Sequence, residues 1–143
     1  MTLTFTVYGV PQPQGSARAF MPKGFQRPVI TGDNEKNKPW RQEIAGTALA
    51  AMAEEKLILI ARPAAVYFAV AFYFDRPKST KRDALKTTKP DLDKLVRSCL
   101  DSLTGIVMDD DSQVTRVIAS KAYGSPARAE IAVSQWREHK CPN

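Results

Sequence analysis

The N-terminal third of the chain alternates apolar and polar positions first at a strand period and then at a helix period. Leu3 to Val10 alternates apolar side chains with threonines, which predicts a half-buried strand. Residues 11–34 are rich in Pro, Gly and Gln, and so long a connection in a compact domain is usually functional or mobile. An apolar stripe with a period of four then predicts a helix over about 38–56, through Trp40, Ile44, Ala48 and Met52.

The middle of the chain predicts a buried strand followed by an amphipathic helix. Val66 to Phe74 is apolar on both faces and rich in aromatic and β-branched residues, as expected of a central strand. Arg76 to Lys89 is a polar, basic loop. After Pro90 an apolar face recurs at helical spacing, and Thr104-Gly105 predicts the end of this second helix.

The C-terminal part predicts the remaining strands. Val114 to Tyr123 and Ala129 to Trp136 have strand patterns, and Gly124-Ser125-Pro126 between them indicates a hairpin turn. Ile106 to Met108 could add a further short strand. The order β-α-β-α-(β)-β-β predicts an α/β (α+β-like) fold: one domain, residues 1–143, with a mixed sheet of about four to five strands and two main helices packed on it.

Length and composition agree with one globular domain. The 143 residues, 43% hydrophobic and 25% charged, are ordinary for a single domain, and no apolar run is long enough to span a membrane. We find no signal-peptide pattern and therefore expect a cytoplasmic protein with no membrane partner. Two cysteines, Cys99 and Cys141, exclude a disulfide framework, and a single histidine, His139, argues against a His-rich zinc site or a Ser-His-Asp triad.

The charge indicates a polyanionic partner. The formal net charge is +6 and the pI about 9.5, which is typical of nucleic-acid binders. Cations are concentrated between residues 76 and 97, where eight basic residues stand against three acidic ones.

Asp91 and Asp93 end this basic segment. If residues 90–93 are extended, the two carboxylates point to one side, and paired carboxylates suit Mg²⁺ or Mn²⁺ better than zinc. Alternatively, Asp91 caps the helix and Asp93 lies in its first turn, where the helix dipole favours it. Carboxylates beside cations are what a metal-dependent nuclease needs, because the cations hold phosphates while the carboxylates hold the metal.

A second acidic cluster, Asp109-Asp110-Asp111, follows the helix. It is either a solvated turn or the source of a third metal ligand beside the next strand. Three adjacent acids repel one another unless a cation or a basic neighbour compensates them.

Residues 89–114 combine these features into linked motifs. Asp91-Leu-Asp93 opens the helix, Asp101-Ser-Leu lies near its end, and Asp110-Asp111-Ser-Gln-Val follows. In this order and spacing the chain resembles the RusA family of Holliday-junction resolvases. The first strand and the late Lys121-Ala-Tyr-Gly also fit, so the resemblance spans the chain.

The resemblance implies a homodimeric, Mg²⁺-dependent endonuclease of bacterial or phage origin, with Mn²⁺ as the other candidate ion. Its substrate would be four-way junction DNA, cut by paired symmetric nicks. In-line attack of water on the phosphodiester would leave a 5′-phosphate and a 3′-hydroxyl. By position, Asp91, Asp93 and Asp111 match the family's catalytic metal-site acids and Asp110 a less critical neighbour. We expect Asp101 to have a supporting role.

Arg97 departs from the family pattern, because the well-studied form has a catalytically important lysine there. Arginine keeps the charge but does not deprotonate near neutral pH, so an electrostatic role survives the change and proton transfer does not. We count Arg97 among the catalytic residues. Lys94, which stands where the family often has asparagine, could supply an amine from a different position on the helix.

The expected DNA contacts are the cations around these acids: Arg18, Lys78, Lys81, Arg82, Lys86, Lys89, Lys94 and Lys121. Phe20 or Phe25 could provide the hydrophobic wedge with which the family is thought to open a junction. The alternative for the loop 76–89 is an ordinary solvated face. Two other functions stay open at this point: a nuclease for flaps or forks, and a protein that binds junctions or duplexes without cutting them.

Overall fold

The computed structural model describes residues 2–15, 18–20, 23–24, 29–31 and 35–137. A short 3-10 helix, Asp111–Gln113, precedes the fifth strand. The strands and α-helices in chain order are β1 (Thr2–Tyr8), β2 (Arg18–Phe20), β3 (Val29–Thr31), α1 (Asn37–Glu55), β4 (Val66–Phe74), α2 (Leu92–Leu103), β5 (Val114–Tyr123) and β6 (Arg128–Gln135).

Four of the strands form one mixed sheet in the order β1-β6-β4-β5. β6 pairs antiparallel with both β1 and β4, whereas β5 pairs parallel with β4. β2 and β3 form a separate antiparallel pair. The predicted fold class, a single α/β domain with a mixed sheet and two helices, is confirmed.

The predicted hairpin between the last two strands is wrong. β5 and β6 lie on opposite sides of β4, and the chain between them crosses the end of that strand. Gly124 N donates to Phe74 O at 2.9 Å, and a Cβ added at Gly124 would lie 2.7 Å from the Tyr73 ring. Glycine is needed here because the backbone passes directly over β4. The turn residues indicate a reversal correctly, but they carry no information about a strand lying between its two arms.

The optional strand at Ile106 to Met108 is also absent. These residues make only isolated bridges, from Met108 to Ile60 and to Thr104. Gly105, at φ +81°, turns the chain, and its N–H donates to Met108 O at 2.7 Å. The apolar pattern here arises from burial beneath the helices, because Val107 and Met108 belong to the core.

The helices cover one face of the sheet. Along β4 every second residue is buried against them, including the fully buried Phe68 and Phe72. Trp40, expected in a core or an interface, is buried on α1. The central position predicted for β4 is confirmed, but its second face, which includes Tyr67 and Tyr73, is only half-buried, because both helices pack on the other side.

None of the helices in the described ranges is long and apolar enough to cross a membrane.

Candidate metal centre and nucleic-acid interface

Asp91 occupies the N-cap position of α2, yet its side chain does not cap the helix. Its backbone is extended (φ −70°, ψ 136°), and its carbonyl accepts the hydrogen bond from Leu95 N at 3.1 Å. The carboxylate accepts no hydrogen bond from a helix amide and instead accepts one from Lys94 Nζ at 3.1 Å. The capping interpretation is therefore excluded for this side chain. Its carboxylate, 47% exposed, is held only by an exposed cation.

Asp93 lies in the first turn of α2 and is exposed. The extended stretch expected over 90–93 ends at Asp91, because Leu92 already begins the helix. Asp91 and Asp93, hereafter the paired carboxylates, thus share the N-terminal end of α2. The positive end of the helix dipole favours both negative charges.

Three lysines act on the Asp91 carboxylate. The hydrogen bond from Lys94 and its charge lower the pKa of the Asp91 carboxyl below its ordinary value, with smaller contributions from Lys89 and Lys121. Asp91 therefore remains ionised throughout the neutral range. An ionised carboxylate is the form that binds a hard divalent cation.

Lys121 holds the segment that leads into Asp91. From β5, its Nζ donates to the carbonyl oxygens of Thr88 and Pro90, both at 2.8 Å. Lys121 was expected to bind phosphate, and its ammonium group is instead directed at the protein's own backbone. Its contacts give it a positioning role, since they fix the chain immediately before the N-cap.

Lys86 reinforces the same segment from the loop itself. Its Nζ donates to Lys89 O at 2.9 Å and to Thr88 Oγ1 at 3.0 Å, and it lies 4.7 Å from the centre of the Phe74 ring. Lys86 was also expected to contact DNA. Sequence reasoning missed these contacts, because the charge of a lysine does not show that backbone carbonyl oxygens of the same chain lie close enough to accept its hydrogen bonds.

The other expected DNA contacts divide by position. Arg97 lies exposed one helical turn beyond Asp93. Arg82 and the unassigned Arg76 line a surface depression of about 450 Å³ at the end of the sheet. Four of the loop cations expected to contact DNA are exposed: Lys78, Lys81, Arg82 and Lys89.

The structure describes the three candidate residues of the N-terminal connection only in part. Arg18 and Phe20 belong to β2, but their side chains lie outside the described structure. Phe25, the other candidate wedge, lies outside the described residues altogether.

Asp111 does not lie with the paired carboxylates. It opens the 3-10 helix before Val114, whereas Lys121, seven residues further along β5, contacts the segment that precedes them. That length of strand covers about 23 Å. α2 itself, about 18 Å long, runs between the two ends. Among the described residues no three His, Cys, Asp or Glu side chains form a metal-binding cluster. Within one chain, the three acids do not share one ion.

The neighbours of Asp111 are used to build the turn. Asp109 Oδ2 accepts a hydrogen bond from Arg62 N at 2.8 Å. Asp110 Oδ2 accepts one from Ser112 N at 3.1 Å, and Asp110 N donates to Gln113 Oε1 at 2.9 Å, which completes a capping box. The hydrogen bond from Ser112 lowers the pKa of Asp110.

Asp111 differs from these two neighbours. Its side chain is exposed, and its carboxylate accepts no hydrogen bond and forms no ion pair in the part of the chain that the structure describes, although its backbone carbonyl accepts one from Val114 N. Of the three adjacent acids, Asp111 is therefore the one whose carboxylate is available to a ligand.

Asp101 lies away from both ends. It is half-buried on α2, about 12 Å along the helix axis from Asp93. There it lines a groove between the helices, together with Lys38 and Arg41 of α1. Its surroundings indicate a role in helix packing.

The paired carboxylates fit a magnesium ion in their chemistry. Mg²⁺ is commonly held by one or two carboxylates together with substrate phosphates, and its remaining positions are filled by water. Both carboxylates are exposed at one helix end, and Asp91 is kept ionised. Asp111 of the same chain does not join them.

Comparison with known proteins identifies the family. The family model described as endodeoxyribonuclease RusA matches residues 9–134, which include all the acids discussed above. The uncharacterized protein YqaN of Bacillus subtilis (strain 168) is 32% identical over 144 residues, which cover 93% of this chain and 96% of YqaN. The chain belongs to the RusA endodeoxyribonuclease family.

Proposed function

We propose that this protein is a Mg²⁺-dependent endonuclease that resolves four-way DNA junctions by paired nicks. The observation that carries the proposal is the carboxylate of Asp91, which stands at the N-cap position of α2 but accepts no hydrogen bond from the helix amides. It stays ionised and exposed beside Asp93, in a basic segment whose cations attract phosphates. Family membership supports the nuclease activity, and the geometry supports the start of α2 as its centre.

The chemistry divides between an ion and the chain. A divalent ion at the paired carboxylates would activate water and stabilise the leaving oxygen, which gives a 5′-phosphate and a 3′-hydroxyl. Lys94 lowers the pKa of the Asp91 carboxyl, and Lys121 holds the backbone before it. Arg97 offers a planar guanidinium that binds phosphate with two hydrogen bonds, without taking part in proton transfer.

We also propose that the active form is a homodimer. Because Asp111 and the paired carboxylates lie at opposite ends of α2, a centre that uses all three acids takes Asp111 from a second copy. A two-fold dimer then holds two such centres. Two centres related by symmetry match two symmetric cuts in a junction.

The test is cleavage of a synthetic mobile four-way junction with Mg²⁺, beside a linear duplex and a flap. Native protein should give paired nicks that ligase reseals, on the junction alone. Asp91→Asn should abolish them, whereas Asp83→Asn, a matched control at an exposed acid of the basic loop, should not.

Three results would contradict the proposal in different ways. Tight junction binding without cutting in Mg²⁺ or Mn²⁺ would indicate a binding protein. Equal cutting of the flap would indicate a nuclease without junction preference. Full activity of Asp91→Asn would move the centre away from the start of α2.

A further inference from the structure

A cleft at the end of β4 and β5 combines charges of both signs with an aromatic ring. It has a volume of about 450 Å³, and the residues that line it are Asp75, Arg76, Arg82, Tyr123, Gly124 and Ser125. This volume is within the range of sites that bind small molecules. The cleft therefore has room for one flat, polar group of a larger ligand.

The opposite charges of the cleft line it without pairing. Within the described ranges no ion pair joins Asp75 to Arg76 or Arg82, and the side chains of Asp75 and Arg82 make no hydrogen bond. Arg76 donates from Nη1 to the carbonyl oxygen of Thr80, which fixes its guanidinium while other N–H groups remain. The cleft thus offers an acceptor and several donors to a ligand that presents both.

The cleft adjoins the segment that leads into the paired carboxylates. Lys121 and Tyr123 lie on the same face of β5, with Cα atoms about 7 Å apart, because alternate residues of a strand share a face. Lys121 Nζ contacts Pro90 O, immediately before Asp91. Lys86 Nζ lies 5.5 Å from the centre of the Tyr123 ring and donates to the loop just before Pro90. A polymer with one phosphate at the carboxylates therefore brings a neighbouring group to the cleft.

A nucleobase fits this cleft better than a phosphate does. Asp75 repels a phosphate, whereas a carboxylate accepts hydrogen bonds from the N–H groups of a base. Arginine donates to the carbonyl and ring-nitrogen acceptors of a base. The Tyr123 ring adds an aromatic surface of the kind on which bases stack in proteins that bind single strands. The cleft therefore matches both the edge and the face of a base.

Two other cavities are poorer candidates. The depression on the open face of the sheet is larger, about 570 Å³, but its acid Glu130 is already paired with Arg128 at 3.1 Å. The groove between the helices lies beside Asp101, about 12 Å along α2 from Asp93. Charged groups that are free of partners and also close to the paired carboxylates are found in the cleft.

We propose that the cleft binds one unpaired nucleobase of the strand that is cut, close to the scissile phosphate. Asp75 and Arg82 contact the edge of the base, and Tyr123 contacts its face. The inference rests on the proposed function for the identity of the polymer, and it adds the residues that read the polymer's sequence. The cleavage rate should then depend on the base at one position.

The first experiment maps the contact by photocrosslinking, without cleavage. Junctions with a fixed branch point carry 5-iododeoxyuridine at one of the positions near that point, and the protein binds them in EDTA. Irradiation should join one position to Tyr123, as identified by mass spectrometry of the linked peptide. Tyr123→Leu should lose this crosslink while circular dichroism shows it folded. Tyr67, half-buried on the opposite face of the sheet, is the internal control and should not react.

The second experiment measures the cleavage rate at saturating junction in Mg²⁺, with each of the four bases at the crosslinked position. Native protein should prefer one base at least about fivefold. Arg82→Lys keeps the charge and loses the planar fork, so affinity should hold while the preference disappears. Asp75→Asn adds a donor to the cleft and should favour a different base. Lys78→Met, at an exposed cation outside the cleft, should weaken binding of all four junctions equally and keep the preference.

The outcomes separate the cleft from the nuclease centre. Crosslinks that miss Tyr123 at every position, or an unchanged preference in Arg82→Lys and Asp75→Asn, would overturn the inference. Equal cutting of all four junctions by native protein would also overturn it and leave the nuclease proposal standing. Crosslinking to Tyr123 by a protein that cuts no junction would support the cleft and reject the nuclease.

Discussion

The two acidic clusters of this chain look alike in sequence and differ in what their carboxylates do. At the start of α2, the Asp91 carboxylate accepts no hydrogen bond from the helix amides and instead accepts one from an exposed lysine. Before β5, Asp109 and Asp110 accept hydrogen bonds from the backbone of Arg62 and Ser112. A carboxylate satisfied by backbone amides builds a turn, whereas one left to side chains and solvent stays available to a ligand.

The largest effect should come from mixing variants of the two clusters. Asp91→Asn and Asp111→Asn should each be inactive alone. In a mixed dimer one centre combines the intact Asp91 of one copy with the intact Asp111 of the other. Random exchange of subunits should therefore restore about a quarter of the native nicking rate. Nicking of a cruciform plasmid measures this directly, because a single working centre gives nicked circles.

The same mixing experiment can also show that the two acidic clusters act within one chain. If all acids acted within one chain, every mixed dimer would have two dead centres, and the mixture would stay inactive. Asp91→Asn mixed with Asp93→Asn is the negative control, because both changes fall at the same end of α2.

Lys121 and Lys78 allow a residue that positions the backbone to be compared with one that binds DNA. Lys121→Met should lower the cleavage rate at saturating junction about tenfold to a hundredfold, because the backbone before Asp91 loses two hydrogen bonds. Junction affinity should change little, and Lys121→Arg should recover part of the rate.

Lys78→Met is the matched change in an exposed cation of the basic loop. It should weaken binding, reduce the salt dependence of binding by about one counterion, and leave the rate at saturating DNA unchanged. If Lys121→Met behaved in the same way, its role would be phosphate binding.

The periodic patterns predicted the elements well because they report burial. The predicted bounds of β4 and β5 agree with the structure, and α1 differs by one residue at each end. The sequence did not predict the strand order, because turn residues such as Gly124 indicate a reversal and not the neighbour. It did not predict the separation of Asp111 from the paired carboxylates, because motif spacing does not show that α2 and β5 run between them.

A smaller effect should distinguish the acids within the second cluster. Asp110→Ala removes the capping box of the 3-10 helix and should lower the free energy of unfolding by about 1 kcal/mol. Asp111→Ala should leave stability unchanged, because its side chain has no partner among the described residues, and should abolish cleavage. Thermal melts and nicking assays on both variants measure the two effects. Equal destabilisation would make Asp111 structural as well.

The smallest effect concerns Cys99, on the buried face of α2 between the two clusters. Burial raises the pKa of this thiol far above its ordinary value of 9.0, so the folded protein keeps the proton that the unfolded chain loses. Stability should thus be independent of this group below about pH 9, and above it should fall by up to about 1.4 kcal/mol per pH unit. In a Cys141→Ser background, iodoacetamide at pH 8 should label Cys99 in urea and not in buffer. Rapid labelling without urea would show that the core beneath both clusters opens, and the contrast between their carboxylates would then describe only one of several conformations.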